Sequence, residues 1–467
     1  MNIKPHYLLL DGLRGAAALM VLWYHVFEGF AFAGGTAIET FNHGHLGVDF
    51  FFMLSGFVIS YAYDDRWKTT RPQDHKTTSQ SAVPEPVEGK RFDKLSDQTN
   101  SQQPTANGLS IWSFFKRRLI RLHPMVVMGA VIGLITYLIQ GGVQWDGTQV
   151  SFHWIMVAFF LGMCLIPVYP GAPYDVRGNG EMYPLNGPSW SLFFEYVGNV
   201  LYALFIRRLS NKMLALLCGA TGLLWVTFVV FDVSGYDMIG IGWTLDAVNF
   251  CGGLLRMLFP FTLGMLMARN FNKTTRPQDH KTTSQSAVPE PVEGKRFDKL
   301  SDQTNRQKPI DESQSTVPEP VEGKVRRFDK LSDRTIFWIS VLVLFVLFSM
   351  PYIPKTGSVS VNGIYELSCI ICVFPLIIWF GAAANITNAF TTKICKFLGD
   401  ISYPLYIVHY PVMYLFYSWL IKNELYTLGE TWQVVILVMA VNVALAYACL
   451  KLYDEPVRRR FDKTPRH

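Results

Sequence analysis

Long apolar runs, each close to the length of a membrane-spanning helix, are the dominant pattern of this sequence. A helix needs roughly 20 apolar residues to cross the hydrocarbon core of a bilayer. Ten runs reach about that length, and polar or charged loops separate them: residues 8–30, 46–63, 124–143, 188–206, 211–231, 247–268, 336–352, 364–384, 401–421 and 432–453. The pattern predicts an all-α integral membrane protein with about ten transmembrane helices.

An eleventh apolar run lies at residues 152–169, and the charges of the loops around it indicate whether it crosses the membrane. Short cytoplasmic loops are enriched in Lys and Arg, and the basic clusters of this chain agree with one another only if the eleventh run does not cross. We therefore predict a re-entrant or interfacial segment there, with both termini in the cytoplasm. The basic clusters lie at residues 117–121, 207–212, 269, 393–396 and 458–460.

Two polar segments are identical to each other, letter for letter. KTTRPQDHKTTSQSAVPEPVEGKRFDKLSDQTN stands at 68–100 and again at 273–305, and a shortened copy follows at 313–333. These copies hold too few apolar residues to form a packed core, and long insertions in surface loops cost little stability. We predict disordered inserts at 68–107 and 273–334 within a single membrane domain over 1–467. A partner-binding linker is the alternative.

Composition and cysteine usage narrow the class of protein further. Half of the residues are hydrophobic and 17% are charged, which is typical of a membrane protein and not of a nucleic-acid-binding one. The seven cysteines lie in or beside apolar runs, without the spacing of a disulfide framework or a zinc site. His43 and His45 stand in a loop and are expected to line an outer mouth at most. We expect no metal and no nucleic-acid partner.

The first apolar run, DGLRGAAALMVLWYHV, holds three ionisable side chains. Such groups are costly inside a bilayer and usually face a cavity, a partner or a substrate path. Arg14 and His25 are eleven residues apart, so they share one helix face within about 20° and lie roughly 16 Å apart along the axis. Asp11 is three residues from Arg14, a spacing at which the two can pair.

These residues also have structural interpretations. Arg14 could be a snorkelling cation, and His25 could be a hydrogen-bonded residue between helices. Imidazole titrates near neutral pH, however, so His25 is also a candidate general base.

A basic segment, SFFKRRLIRLHP, precedes the third run, and Pro124 is expected to open the membrane helix after it. The orientation of the protein and attraction to anionic lipid explain such charges without any ligand. Guanidinium groups also suit bidentate phosphate contacts. Arg117, Arg118 and Arg121 are therefore candidates for binding the phosphates of a cytoplasmic ligand.

Other polar side chains in the apolar runs have two interpretations each. Glu195, expected in the extracytoplasmic half, either pairs with an arginine such as Arg256 or lines an active cavity as a catalytic residue that positions an acceptor hydroxyl or tunes His25. Ser189 and Trp190 lie at the start of the same run, where an indole can join the interfacial belt or stack on a sugar. His409 is either a cavity-lining substrate contact or a structural residue.

Five motifs resemble, in order, those of the membrane-bound acyltransferase 3 family. Members of that family are inner-membrane enzymes of bacteria that acylate, most often O-acetylate, sugars of surface polysaccharides and related glycans. The motifs are DGLRGAAALMVLWYHV at 11–26, GVDFFFMLSGFVIS at 47–60, SFFKRRLIRLHP at 113–124, GPSWSLFFEYVGNVLYALF at 187–205 and ISYPLYIVHYPV at 401–412. They cover essentially the whole chain outside the inserts.

The resemblance implies transfer of an acyl group, expected to be acetyl, from acyl-CoA to a hydroxyl of a cell-envelope glycan or lipid-linked sugar. It also implies that Arg118 and Arg121 help to bind CoA. In this scheme His25 deprotonates the acceptor hydroxyl, and Arg14 with Asp11 either holds the donor or stabilises developing negative charge.

The rival hypothesis is a secondary transporter or exporter of a glycan or small polar molecule. Ionisable residues inside a membrane also line transport paths. A transporter predicts inverted symmetry between the two halves of the chain, and the repeat found here lies in the polar inserts.

Overall fold

Helices make up every extended regular element in the part of the chain that the structure describes. This computed structural model describes residues 7–68, 109–275 and 332–461, apart from 354, 356, 385 and 387. The helices are α1 (Leu8–Gly34), α2 (Leu46–Lys68), α3 (Ile111–Ile139), α4 (Phe152–Met163), α5 (Ser189–Leu204), α6 (Asn211–Val230), α7 (Ala247–Thr275), α8 (Asp333–Phe348), α9 (Val361–Ser368), α10 (Phe374–Ala383), α11 (Ala389–Asn423), α12 (Leu428–Cys449) and α13 (Glu455–Phe461). The all-α prediction is confirmed.

Three short turns join some of these helices. Residues Ile206–Arg208 form a 3₁₀ turn after α5, and π turns at Cys369–Val373 and Leu450–Asp454 link α9 to α10 and α12 to α13. The two π turns keep each pair of helices in one continuous stretch.

Seven helical stretches among the described residues are long and apolar enough to cross a membrane: Leu8–Gly34, Leu46–Trp67, Ile111–Ile139, Asn211–Val230, Ala247–Phe271, Val361–Ala383 and Leu428–Phe461. This supports the membrane class, while the count of ten and the cytoplasmic termini stay predictions. The other three predicted spans correspond to α11 and to α5 and α8, which have 16 residues each. Sixteen residues rise about 24 Å, less than the roughly 30 Å of a hydrocarbon core.

The eleventh apolar run forms the short helix α4. Its 12 residues rise about 18 Å, which is too little to cross a bilayer. Phe152 and Phe160 on this helix are exposed. These features fit the predicted re-entrant or interfacial segment, and its position relative to a bilayer stays a prediction.

The predicted disordered inserts fall almost entirely outside the described residues. Helix α2 ends at Lys68, α7 ends at Thr275 and α8 begins at Asp333. The helices therefore stop close to where each polar copy begins and resume where the last copy ends. Disorder of the inserts stays a prediction.

Helix α3 continues unbroken through Pro124, so the prediction that this proline opens the membrane helix is wrong. The helix begins at Ile111, after Ser110, whose Oγ accepts a hydrogen bond from the backbone N–H of Ser113 at 3.1 Å. Membrane helices tolerate internal proline because neighbouring groups satisfy the freed backbone atoms. The basic segment and the apolar segment of α3 thus form one continuous helix.

Two pairs of helices approach each other at glycine positions. A Cβ added to Gly15 of α1 would lie 2.2 Å from the carbonyl oxygen of Leu398 in α11. A Cβ added to Gly56 of α2 would lie 2.0 Å from the carbonyl oxygen of Phe261 in α7. Small residues at such crossings let helix backbones come together, which stabilises helix association in membranes.

Replacing Gly15 by alanine should separate α1 from α11. Overpacking of this kind costs about 1–3 kcal/mol, so we expect a lower thermal unfolding temperature for the detergent-solubilised protein. Gly219→Ala on α6 is the control, because an added Cβ there meets nothing within 4 Å. Equal unfolding temperatures for the two variants would contradict the close contact.

Candidate active site

Helices α1 and α11 together fix the charge pair at the start of the first apolar run. Nη2 of Arg14 lies 3.2 Å from Oδ1 of Asp11, so the pair that the three-residue spacing predicts is present. The guanidinium also donates from Nε to Oγ of Ser402 at 2.9 Å, and from Nη2 to the carbonyl oxygen of Gly399 at 3.4 Å. Both of these groups belong to α11.

His25 contacts the same neighbouring helix further along α1. Its ring stacks on that of His409, with centroids 5.1 Å apart and an interplanar angle of 29°. Its edge meets the ring of Tyr410 at 4.7 Å between centroids. Arg14 and His25 thus share the helix face that the eleven-residue spacing predicts.

Glu28 is the direct partner of His25. Nδ1 of His25 lies 2.6 Å from Oε2 of Glu28. A carboxylate only accepts hydrogen bonds, so Nδ1 carries the hydrogen, and Nε2 is left as the nitrogen that can take up a proton. The hydroxyls of Tyr417 and Tyr410 donate to the same Oε2 at 2.7 and 3.2 Å. We call His25 and Glu28 the dyad.

The sequence analysis missed Glu28, although a signal for it was present. Residues three apart face each other on a helix, and His25 and Glu28 have that spacing. The same three-residue spacing predicted the pair of Asp11 and Arg14, and it also indicates a pair of His25 and Glu28. The two tyrosines that hold Glu28 come from α11, more than 380 residues away in sequence, so no local pattern could have indicated them.

A cavity of about 1060 Å³ lies among α1, α2, α3, α5, α11 and the C-terminal helical segment, by which we mean the π turn Leu450–Asp454 together with α13. Its volume is at the upper end of the roughly 300–1,000 Å³ that small-molecule sites occupy. Eight basic residues line it, namely Arg14, Arg117, Arg118, Arg121, Lys396, Lys451, Arg458 and Arg459. Four acidic residues also line it: Asp11, Glu195, Asp400 and Glu455. The cavity therefore has an excess of positive charge, which suits an anionic ligand.

Glu195 lies in this cavity and pairs with Arg118, whose Nη2 is 2.9 Å from Oε1. The hydroxyl of Ser55 donates to the same oxygen at 3.0 Å. The pairing of Glu195 with Arg256 is wrong, because Arg256 forms two-pronged contacts with Asp49, at 3.0 Å from Nε and 2.8 Å from Nη2. Glu195 thus lies beside the basic segment of α3, and its position relative to a bilayer stays a prediction.

The three arginines of the basic segment have different surroundings. Arg118 is buried and forms an ion pair with Glu195, whereas Arg117 and Arg121 are exposed at the mouth of the cavity. Among the described residues, neither exposed arginine forms an ion pair. The basic residues of the C-terminal helical segment that line the cavity, Lys451, Arg458 and Arg459, are instead each paired with an acidic side chain one turn away. Arg117 and Arg121 are therefore the guanidiniums most available to a ligand.

The inner end of the cavity is closed by two hydroxyls that sequence reasoning did not select. Oγ of Ser191 and the phenol oxygen of Tyr406 are 2.7 Å apart, and both residues line the cavity. The ring of Tyr406 lies 5.8 Å from that of His409, which stacks on His25. Two aromatic rings therefore separate the cavity from the dyad.

His409 is buried between the cavity and the dyad. Its Nδ1 lies 2.9 Å from the carbonyl oxygen of Tyr406 and 3.1 Å from that of Leu405. Carbonyl oxygens only accept, so Nδ1 carries the hydrogen. Nε2 has no hydrogen-bond partner among the described residues. His409 is not among the residues that line the cavity, and its role as a substrate contact stays a prediction.

Ser189 and Trp190 are likewise not among the cavity-lining residues. Ser189 is buried at the start of α5. The ring of Trp190 packs against the guanidinium of Arg256, which lies 5.2 Å from its centroid. Trp190 does not line the cavity, and its stacking on a sugar stays a prediction.

A second polar network adjoins the dyad from the loop between α4 and α5. Glu181 in this loop is buried and accepts a hydrogen bond from the hydroxyl of Tyr414. Burial raises the pKa of Glu181 to about 7. The guanidinium of Arg177 lies 3.5 Å from the ring centroid of Tyr414. Tyr414 also contacts Tyr410 at 4.6 Å between centroids, which connects the loop to Glu28.

Comparison with known proteins identifies relatives by sequence. The acyltransferase domain model of the acyltransferase 3 family matches residues 7–451. Protein 2 in the picA locus of Rhizobium radiobacter is 28% identical over 221 residues, which cover 45% of this chain and 87% of that protein. No solved structure matches the chain.

Replacing Glu181 by glutamine should change how stability depends on pH. A carboxyl whose pKa is raised on folding stabilises the folded state at low pH, and this contribution is lost as the pH rises toward about 7. The loss amounts to about 3 kcal/mol for a shift of this size. We expect the unfolding temperature to fall less between pH 5 and pH 8 in Glu181→Gln than in the parent. Glu39→Gln, at an exposed position, should keep the parent profile. A parent-like profile for Glu181→Gln would contradict the raised pKa.

Proposed function

This chain belongs to the acyltransferase 3 family, and on that premise we propose that it transfers an acyl group, acetyl in the first instance, from cytoplasmic acyl-CoA to a hydroxyl of a cell-envelope glycan or glycolipid. We place this activity in the inner membrane of a bacterium. The basic cavity carries the proposal, because it ends two aromatic rings from the dyad. It would receive the anionic donor at one end and bring its acyl group toward a base at the other.

The mouth of the cavity suits the phosphates of CoA. The exposed guanidiniums of Arg117 and Arg121 can each make two parallel hydrogen bonds to a phosphate. Arg118 has a different role, because its ion pair with Glu195 holds its guanidinium in place. It contributes a fixed positive charge inside the cavity.

Arg14 supports the donor and not the reacting carbonyl. It lies roughly 16 Å along α1 from His25, so it cannot touch an oxyanion that forms beside that histidine. Of its two predicted roles, holding the donor is the one that its position favours. Asp11 and Ser402 orient the guanidinium for this task.

The hydroxyls of Ser191 and Tyr406 mark where the thioester would end. A hydroxyl there can donate a hydrogen bond to the carbonyl oxygen of the bound thioester before the reaction. The acyl group must then come past the rings of Tyr406 and His409 to meet an acceptor at His25. Movement of these two rings would connect the donor cavity to the dyad.

The dyad supplies the base for the reaction. Nε2 of His25 takes the proton of the acceptor hydroxyl while the hydroxyl oxygen attacks the thioester carbonyl carbon. The C–O bond forms, the C–S bond breaks, and the CoA thiolate leaves and takes up the proton from His25. Glu28 holds Nδ1–H throughout, so the imidazole keeps its tautomer and its positive charge is stabilised.

The acceptor would approach from the aromatic surface beside the dyad. The rings of Tyr410 and Tyr414 are in contact, and the ring of Trp145 lies 5.9 Å from that of Tyr414. Aromatic faces of this kind present apolar area together with a polar edge, which suits a sugar. Glu181 is buried behind these rings and accepts the hydroxyl hydrogen of Tyr414.

Replacing Glu28 by glutamine should lower the rate of acyl transfer. The amide can present its N–H to His25 and favour the wrong tautomer, and loss of an orienting carboxylate or of the base costs roughly 10²–10⁴-fold. His25→Ala should abolish the reaction. The measurement is release of free CoA thiol in membranes supplied with acetyl-CoA and an extract of envelope glycans.

The matched control for this experiment is Glu39→Gln, at an exposed position, which should keep the parent rate. Parent-like CoA release by both dyad variants would refute the mechanism. Glycan uptake by the parent without any CoA release would favour a transporter.

Replacing Arg121 by alanine should weaken donor binding. Loss of a charged hydrogen bond costs about 1.5–3 kcal/mol, which corresponds to an increase of about 10–100-fold in KM for acetyl-CoA, while kcat changes little. Arg208→Ala removes an exposed arginine that does not line the cavity, and it should leave KM unchanged. An unchanged KM in Arg121→Ala would refute this part of the donor site.

A further inference from the structure

Three metal-ligating side chains meet in a buried cluster outside the cavity. His43 and His45 precede α2, and Glu366 lies on α9, more than 320 residues further along the chain. Nδ1 of His43 and Nε2 of His45 each lie 2.8 Å from Oε1 of Glu366. One ligand atom from each residue lies within 4.8 Å of the other two. We propose that this cluster binds one divalent transition-metal ion, with zinc as the first candidate.

The histidine nitrogens in the cluster lack the partners that buried groups require. Nε2 of His45 lies 2.8 Å from Oε1 of Glu366, yet it forms no hydrogen bond among the described residues. Nδ1 of His45 and Nε2 of His43 also have no partner among the described residues. Both imidazoles are more than nine-tenths buried. Buried polar atoms without partners are uncommon, and an unseen ion is one of their recognised causes.

Among the residues that the structure describes, Glu366 has no arginine or lysine as an ion-pair partner. Arg256 is close by, and it donates from Nη2 to the carbonyl oxygen of His45. Its guanidinium is engaged with Asp49 through both Nε and Nη2, so its positive charge offsets that carboxylate. The charge of the fully buried Glu366 needs a second source of compensation. A divalent cation held by two neutral imidazoles would supply it.

Two imidazoles and one carboxylate are a ligand set that zinc uses in proteins. Zinc binds nitrogen and oxygen ligands at about 2.0–2.2 Å, so the ligands of a tetrahedral ion lie about 3.3 Å apart. The present N to O distances of 2.8 Å would have to widen only slightly. A water molecule can occupy the fourth position. The softer imidazole ligands favour zinc, nickel or copper over magnesium or calcium.

Neighbouring groups already orient the ligands. The backbone N–H of Ile239 donates to Oε2 of Glu366 at 2.6 Å, which leaves Oε1 directed at the histidines. The ring of Tyr365 lies 4.7 Å from that of His43. Outer groups of this kind fix the orientation of metal ligands and tune their affinity.

The metal would tie three separate parts of the chain together next to the dyad. It would join the loop before α2 to α9, and through Ile239 it would also fix the loop after α6. The ring of Tyr24 lies 5.7 Å from that of His45 and 5.0 Å from that of His25. The site therefore supports the α1 turn that carries His25, without touching the reacting atoms.

The test is metal analysis of the full-length protein purified in detergent without chelators. We expect close to one zinc per chain. Removal of the metal with a chelator should lower the unfolding temperature, and added zinc should restore it, because an ion that binds only the folded state stabilises it. Cobalt added to the metal-free protein should give the visible absorption of a tetrahedral site.

Variants distinguish this site from adventitious metal. Glu366→Gln and His45→Ala should each lose the bound zinc, and their unfolding temperatures should no longer respond to chelator. His153→Ala removes an exposed histidine on α4 and should keep one zinc per chain.

Three results would overturn the proposal. The first is only trace metal in the parent protein together with no cobalt spectrum, which would leave a hydrogen-bonded histidine and glutamate cluster. The second is parent-like metal content in both cluster variants. The third is equal loss of metal in His153→Ala. The chelation and zinc-restoration arm uses the unmutated chain, so it decides the question even where a variant fails to fold.

Discussion

The close packing of α1 against α11 is the contact on which the rest of the site depends. Gly15 brings the two backbones together, because any side chain there would strike the α11 backbone. At this separation Arg14 reaches a hydroxyl and a carbonyl of α11, and His25 stacks on His409. A shift by the width of one methyl group would break the first set of contacts and loosen the second. The basic cavity and the dyad therefore share one structural support.

Compensation of charge in an apolar medium explains where the other polar residues lie. An unpaired charge inside a membrane protein is costly, and four acidic side chains of the helices each have an arginine: the pairs are Asp11 with Arg14, Asp49 with Arg256, Asp64 with Arg269 and Glu195 with Arg118. Glu28 and Glu366 differ, because the side chains beside their carboxylates are histidines. Histidine can change protonation or bind a metal, which arginine cannot, and these are the two places where we assign chemistry.

Local patterns in the sequence predicted the features that depend on one helix. Apolar runs predicted the helical class, and the eleven-residue spacing predicted that Arg14 and His25 share a face. Features that depend on register between distant helices were out of reach, because no spacing rule relates α3 to α5. For this reason Arg256 was the arginine suggested as a partner of Glu195, which lies instead with Arg118. Ser191 and Tyr406 at the inner end of the cavity were missed for the same reason, and so was the meeting of Glu366 with His43 and His45.

The central claim is that an acyl group passes from a donor in the basic cavity to an acceptor at the dyad. We call the face of the protein on which Arg117 and Arg121 are exposed the arginine face. Proteoliposomes with the protein inserted in one known orientation test this directly, with acetyl-CoA supplied on the arginine face and a glycan acceptor enclosed on the other. We predict free CoA on the arginine face and acetylated glycan in the enclosed compartment, both dependent on His25. Acetylation only when donor and acceptor are on the same face, or acetylation that persists in His25→Ala, would contradict the account.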